Sequence, residues 1–587
     1  METLSSSLLP KNTPSLDIPL SRTILNRNPQ IKFTANSSFS QPLKKLIKQK
    51  FAVQTLTSPR ETIVQERKRR TKTSLHEKIY MPLEDLFSRF SRHSSLPQFV
   101  DPKQVLSGNF APVDELPPTA CDIVEGSLPL CLDGAYIQNG PNPQFMPRSP
   151  FHIADGDGML HSIKISQGKA TFSSRFVRTY KYLLEHELGY PVFPNPVAAL
   201  AYTKLTAHMV ITIARVLTGQ LKLLINGFGT ANTSLALFGG HLFALIESDL
   251  PYAMKITSDG DIITIGRHDL HCRKGFMDMM TAHPKIDPDT GEAFAFRNFA
   301  VPPFMTYFRI DSNGRKQKEV PIFSLKRASF SHDFAVTKNF AIFPDTQIVV
   351  NPLEVIRGRS MMRVDLHKTP RLGVLPRYAV DESDMYWIDV PGLNVLHVVN
   401  AWEEDDGNRI VIMATNLFGI EHALEAIELT QSSMERIVID VKEKIVTRYP
   451  VSNRNLDFGV INPKYGQKKT RYIYAADLEG MPKMAGVVKL DLSLSPADCT
   501  VACHMYGPGC YGSEPIFVAR EPNNPAADED DGYLLSYVYN ENTQESKFLV
   551  MDAKSPTLEI VAAVKLPRRV PHGFHSIFVK ESDLQKL

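Results

Sequence analysis

Residues 335–345 read AVTKNFAIFPD, a short run of β-branched, small and aromatic residues broken at Lys338-Asn339 and closed by Pro344-Asp345. Such runs, bounded by Pro, Asn, Asp or Gly, are the signature of a strand entering a turn. The same texture recurs further along the chain. Arg409–Met413 precedes Asn416, and Tyr533–Tyr539 precedes Asn540-Glu541-Asn542. From about residue 100 onward, turn signals return every ~8–15 positions. Many short strands at this spacing predict an all-β protein that closes on itself. Exact repeats are not obvious, but dividing roughly 480 residues among seven four-stranded blades allots ~70 to each, above the ~40–50 of compact propeller repeats. The expectation is a seven-bladed β-propeller with long insertions.

The main exception to the strand pattern lies between Pro196 and Leu224. There Val197, Leu200, Leu205, Val210, Ile211, Ile213, Val216, Leu217, Leu221 and Leu223 recur with Thr and Ala between them. Lys204, His208, Arg215, Gly219 and Lys222 interrupt the run, so it is no transmembrane span. Two readings stay open: helices that bury their apolar face on the β core, or a helix pair lying on a membrane surface.

Composition fits a folded globular chain, with 43% hydrophobic and 22% charged residues among 587. The net charge of +3 is unevenly spread, much of its basic share falling before residue 80. Residues 1–50 hold eight Ser and eight Lys or Arg against only Glu2 and Asp17. That composition, without an apolar signal core, predicts an organelle transit peptide. Residues 51–100 are expected to be a basic linker, and the run from Arg67 to Lys72 is read as solvated rather than as a nucleic-acid surface. Six irregularly spaced Cys argue against a disulfide framework and for a reducing compartment. Cys499, Cys503, His504 and Cys510 lack the paired spacing of a zinc site and are expected to be buried thiols.

Of the 17 histidines, four share one local setting. These are His283 in TAHPK, His332 in SFSHDFAV, His397 in NVLHVVNAWEE and His575 in PHGFHSIFV. Each follows a small or apolar residue in a strand-like stretch. Placed on the inner strands of different blades, the four imidazoles would converge on the propeller axis, as a metal ion requires. Imidazole suits iron, copper, nickel and zinc alike, so ligand type does not choose the metal. Four neutral ligands leave the ion's charge uncompensated, so nearby carboxylates are expected to accept the other ring N–H groups.

From about Asp101 to Leu587 the chain resembles the plant carotenoid cleavage dioxygenases. The resemblance is carried by NGPNPQF (139–145), DGDGMLH (155–161), ANTSLALFGG (231–240), TAHPKIDPDTGEAFAFR (281–297), NLDFGVINPKY (455–465), GSEPIFVAR (512–520) and LPRRVPHGFHSIFV (566–579). NLDF, DEDDGY (528–533) and the closing VKESDLQKL are most similar to the fourth subclass, which is associated with plastoglobules. The resemblance implies a seven-bladed β-propeller with a helical cap, occupying residues 101–587, and one Fe2+ on its axis. It implies His283, His332, His397 and His575 as ligands, with Glu247, Asp457 and Glu514 as the carboxylates behind them. Asp457 departs from the Glu common in relatives and is one methylene shorter, so either a ligand shifts or a water fills the gap.

His572, where relatives commonly have Tyr, is read as a neighbour of the site and not as a fifth ligand, because side chains three apart on a strand face opposite ways. The paired acids of DGDGMLH are read as a tight turn and not as a calcium loop. Phe304 and Phe574 are the candidate walls of a substrate tunnel.

The implied activity is oxidative cleavage of a carotenoid or apocarotenoid double bond by dioxygen into two carbonyl products. The 9,10 (9′,10′) bond is the default and the 7,8 (7′,8′) bond the alternative. No organic cofactor is implied, and no GxGxxG stands at a strand-to-helix turn. The location implied is a plastid, on a plastoglobule or membrane surface, with no nucleic-acid partner. Other readings are an isomerase or stilbene-cleaving relative with the same site, and a catalytically silent lipid-binding protein. A zinc hydrolase is disfavoured, since four protein ligands would close a tetrahedral zinc site.

Overall fold

The computed structural model describes residues 98–195, 197–198, 206–271, 278–357 and 359–587. The expected transit peptide (1–50), nearly all of the basic linker (51–100), and residues 196 and 199–205 of the helical stretch lie outside the described residues.

Strands alternate their side chains between two faces, so a run that is apolar at every position must be covered on both sides. That is the case here. In Arg409–Phe418, Ile410, Ile412 and Ala414 pack against one neighbour, while Val411 and Met413 pack against the other. In Gly134–Pro141, Tyr136 faces one way and Ala135 and Ile137 the other. Sheets with two apolar faces stack around an axis, and the pairing confirms a seven-bladed β-propeller.

Four blades are separate four-stranded antiparallel sheets, following one another along the chain. The first runs from Ser234–Phe238 to Ile262–Arg267, the second from Lys285–Ile286 to Val320–Ile322. The third runs from Ala335–Val336 to Tyr386–Asp389, the fourth from Val395–Glu404 to Ile445–Pro450. The remaining blades are joined into one 14-stranded sheet. The fifth starts at Leu456–Val460 and the sixth at Ile516–Ala519. The seventh combines a late strand, Ser576–Lys580, with Gly134–Pro141, Gly158–Ser166 and Lys169–Phe176, pairing Gln138 with Ser576 and Tyr136 with Phe578.

Two bridging strands tie neighbouring blades together. Leu116–Gly126 pairs with outer strands of the sixth and seventh blades, and Cys510–Gly512 links the fifth to the sixth. Bridging of this kind covers edges that would otherwise present unpaired backbone groups.

Between the seventh and first blades the chain forms a helical cap. Tyr180–Leu188 begins at Thr179, whose hydroxyl accepts the Tyr182 amide, and stops at Gly189 in the left-handed region. Thr206–Leu217 and Leu223–Asn226 follow within the predicted helical stretch; the first helix was not predicted. Cap residues Val192, Phe193 and Leu221 form their own core with Tyr180, Leu184 and Val216, so part of the apolar face is buried. Another part is not: Ile213, Leu217 and Ile225 are 55%, 81% and 63% exposed. No described helix is long and apolar enough to cross a membrane.

DGDGMLH bends at Gly156 and then enters the strand Gly158–Ser166, and its acids are already engaged. Asp155 accepts the amides of His152, Val197 and Ala198, and Asp157 pairs with Lys181 at 2.8 Å. Among the described cysteines all five are free thiols, and only Cys499 of the 499–510 cluster is buried; Cys503 and Cys510 are partly exposed.

Candidate metal centre

The inner strands of the second, third, fourth and seventh blades each present one of the four predicted histidines at the same end of the axis. Only His397 lies within its strand; His283, His332 and His575 stand one to three residues before theirs. The imidazoles are mutually close: His283 and His332 have ring centroids 4.4 Å apart, and the His283–His575 and His397–His575 pairs are 4.7 and 5.0 Å apart. One nitrogen from each ring lies within 4.8 Å of the others, and no other such cluster occurs among the described residues.

The other three blades supply the carboxylates. Glu247 follows the second strand of the first blade, Asp457 lies in the fifth, and Glu514 precedes the inner strand of the sixth. Asp457 Oδ1 is 2.9 Å from His397 Nδ1, and Glu514 Oε1 is 3.0 Å from His575 Nδ1. Glu514 also accepts the Ser576 amide at 2.6 Å, which locks the strand bearing the fourth histidine. Glu247 Oε1 approaches His332 Nδ1 to 2.7 Å but off the line of a hydrogen bond. Every blade therefore contributes one group to the centre.

The shorter Asp457 reaches its imidazole directly, so neither a displaced ligand nor a water is needed; its second oxygen is buried and unpartnered. A β-bulge makes this possible. Register slips between Asp457 and Val460, and Phe458 is held at φ 51°, a left-handed conformation that bulky side chains rarely adopt. The bulge turns the Phe458 ring to within 5.1 Å of His397 and 5.4 Å of His575. Phe330 stacks on His332 at 5.7 Å. Sequence reasoning named neither ring, although each lies within two residues of a residue it did name.

The two predicted wall residues are placed differently. Phe304 packs against the core between the second and third blades, and Phe574 is half-buried beside His575. His572 is indeed outside the cluster, but not for the reason given: residues 571–575 form no strand, and the ring turns away to stack on Phe110 at 4.7 Å.

The electrostatics suit a cation. Burial opposes charge on Glu247 and Asp457, yet His332 and His397 outweigh it and hold both carboxyls below their ordinary range. Burial likewise opposes a charged His575, but Glu514, with Asp457 and Asp333 behind it, makes this imidazole more basic than usual. His283 is the reverse case: burial, then the three neighbouring imidazoles and Lys285, keep it neutral far below the ordinary histidine range. His283 Nε2 lies 2.9 Å from His332 Nε2. A ring whose Nδ1–H faces a carboxylate turns its Nε2 lone pair inward, as His332, His397 and His575 do, and with His283 Nε2 beside them the converging nitrogens fit a metal ion.

Below this centre a cavity of about 690 Å³ follows the inner strands, lined by Leu237, Lys285, Ile286, Val336 and Ile516. None of the four histidines lines it.

The family model described as retinal pigment epithelial membrane protein matches residues 110–580. A probable carotenoid cleavage dioxygenase 4, chloroplastic, of Arabidopsis thaliana is 58% identical over 89% of this chain and 88% of its own length. A zeaxanthin 7,8(7′,8′)-cleavage dioxygenase, chromoplastic, of Crocus sativus is 50% identical over 61% of this chain and 97% of its own length. Among solved structures, the lignostilbene dioxygenase of Pseudomonas brassicacearum superposes with a TM-score of 0.70 at 22% identity, covering 83% of this chain and all of that one. The structural likeness speaks for the fold alone, whereas the sequence matches run through all four histidine-bearing blades, and with them the chain belongs to the retinal pigment epithelial membrane protein family of carotenoid oxygenases.

Proposed function

We propose that this chain is an iron(II) dioxygenase that cleaves a carbon–carbon double bond of a carotenoid or apocarotenoid into two carbonyl fragments. The observation that carries the reading is the convergence of His283, His332, His397 and His575, with three of the four backed by a carboxylate. Iron(II), when bound, supplies the activation of dioxygen. The chain's own residues do the rest. The four imidazoles would hold the ion, Asp457 and Glu514 fix two of the rings by hydrogen bonds, Glu247 stands 2.7 Å from a third, and Phe330 and Phe458 present apolar faces beside them. No side-chain nucleophile is needed, because an electron-rich polyene supplies the reducing equivalents. Positioning alone then decides which of many similar double bonds reacts.

The 9,10 (9′,10′) bond is our first assignment, from the likeness to the fourth subclass. The 7,8 (7′,8′) bond is the second, favoured by the name of the Crocus relative. A silent lipid-binding role fits poorly with a complete ligand and carboxylate set. We place the protein in a plastid, with residues 1–50 as transit peptide, 51–100 as linker and 101–587 as the catalytic propeller, in line with the chloroplastic and chromoplastic names of its relatives. The exposed Ile213, Leu217 and Ile225 support a cap that rests on a membrane or plastoglobule surface.

The test is anaerobic reconstitution with iron(II), then exposure to dioxygen and β-carotene or zeaxanthin micelles, with fragment masses and oxygen-isotope incorporation read for wild type and His332→Ala. Labelled carbonyl fragments that disappear in the variant are expected, and their masses identify the bond. Intact polyene in the presence of bound iron would overturn the reading.

A further inference from the structure

A buried ion pair touches three of the four segments that deliver the histidines. Lys285 stands two residues after His283, Asp333 one after His332, and Val398 one after His397. Lys285 Nζ lies 2.7 Å from Asp333 Oδ1 and 3.0 Å from Oδ2, and donates to the Val398 carbonyl at 3.0 Å. Asp333 in turn accepts the Val398 amide and its neighbour Phe334's amide, both at 2.7 Å. The carboxylate side chain is 2% exposed and the lysine 22%, its stem lining the axial cavity.

This is an expensive arrangement for stability alone. Taking charge out of water is costly, and a packed apolar pair of similar volume commonly does as well. What an apolar pair cannot do is tie three backbone segments from three blades at defined hydrogen-bond lengths. Metal ligation is sensitive on that scale, since ligand distances must fall within ~0.2 Å of their preferred values. The seventh blade has its own equivalent, because Glu514 holds both His575 and the Ser576 amide. The second, third and fourth blades share Lys285 and Asp333.

We propose that Lys285 and Asp333 are positioning residues for the metal centre, a strut that sets the mutual distances of His283, His332 and His397. The inference rests on reading the four histidines as metal ligands. It predicts an effect on metal binding in folded protein, separate from turnover. Cobalt(II) is the probe, its visible bands reporting ligand geometry and its titration reporting affinity. Lys285→Met and Asp333→Asn are each expected to weaken cobalt(II) binding about 10- to 100-fold and to shift its bands. The double variant is expected to be no worse than either single one, because the pair acts as a unit. Lys285→Arg, which keeps a cation facing Asp333, is expected to retain most of the affinity; where Lys285→Met does not fold, Asp333→Asn, which keeps the side-chain volume, carries the test. Variants that fold and bind cobalt(II) with wild-type affinity and bands would overturn the strut. Wild-type protein that binds no cobalt(II) would overturn instead the metal reading beneath it.

Discussion

At the scale of single residues, the four imidazoles are set by what stands behind them. Asp457 is fully buried, and its only ring partner is His397. Asp457→Asn keeps the volume and removes the charge, and should lower iron(II) affinity about 10- to 100-fold without changing the fold; metal content after dialysis against a weak chelator checks this. Phe458 sets its ring beside His397 and His575. Phe458→Ala should leave metal content intact, reduce kcat/KM roughly 10- to 100-fold and yield fragments of more than one length, as mass spectrometry would show, because the polyene loses a wall that holds it in register. The four histidines and three carboxylates that the structure brings together were legible in the sequence because each sits in a motif long enough to be matched, such as NLDF or GSEP. Phe458 was not, since its role comes from a bulge, and a one-residue slip in strand pairing leaves no mark in composition or spacing.

Among the elements, the cap and the closing blade matter most. The strand Gly158–Ser166 runs so close beneath the segment returning from the cap that a Cβ on Gly158 would sit 2.3 Å from the Ala231 carbonyl oxygen and 2.6 Å from that of Thr230. Gly158→Ala should therefore cost about 1–3 kcal/mol, read as a lowered denaturation midpoint, because backbone on both sides cannot yield. The helix Thr206–Leu217 makes a different prediction. Ile213→Glu with Leu217→Glu should abolish co-sedimentation with liposomes of plastid-type lipids while leaving the unfolding midpoint within about 0.5 kcal/mol, since both side chains already face solvent. Apolar spacing announced this helix but not which of its residues would remain uncovered. That depends on where Val192, Phe193 and Leu221 gather into the cap's own core.

For the molecule as a whole, stability should fall in acid. His161 and His572 are buried, and burial first, with nearby Arg and Lys charges second, pushes their pKa values down to about 3 and about 4. In the unfolded chain both titrate near 6.5. Between those values the unfolded state binds protons that the folded state refuses, so each histidine withdraws about 1.4 kcal/mol per pH unit as pH drops below ~6.5. Denaturant midpoints measured from pH 7 to 4.5 should show this slope, and His161→Met should flatten it by one residue's share. A closed all-β architecture was foreseeable from turn spacing, and seven blades from chain length and the family resemblance, but the bridging strands Leu116–Gly126 and Cys510–Gly512 were not, because pairing across blades is a property of the closed ring. That closure has a temporal side. The seventh blade pairs strands some 440 residues apart and carries His575, so the fourth imidazole joins the other three only when the ring shuts. Contacts at such separation form late. A chain whose ring has not closed therefore lacks one of the four imidazoles, and the cluster is a property of the finished molecule alone.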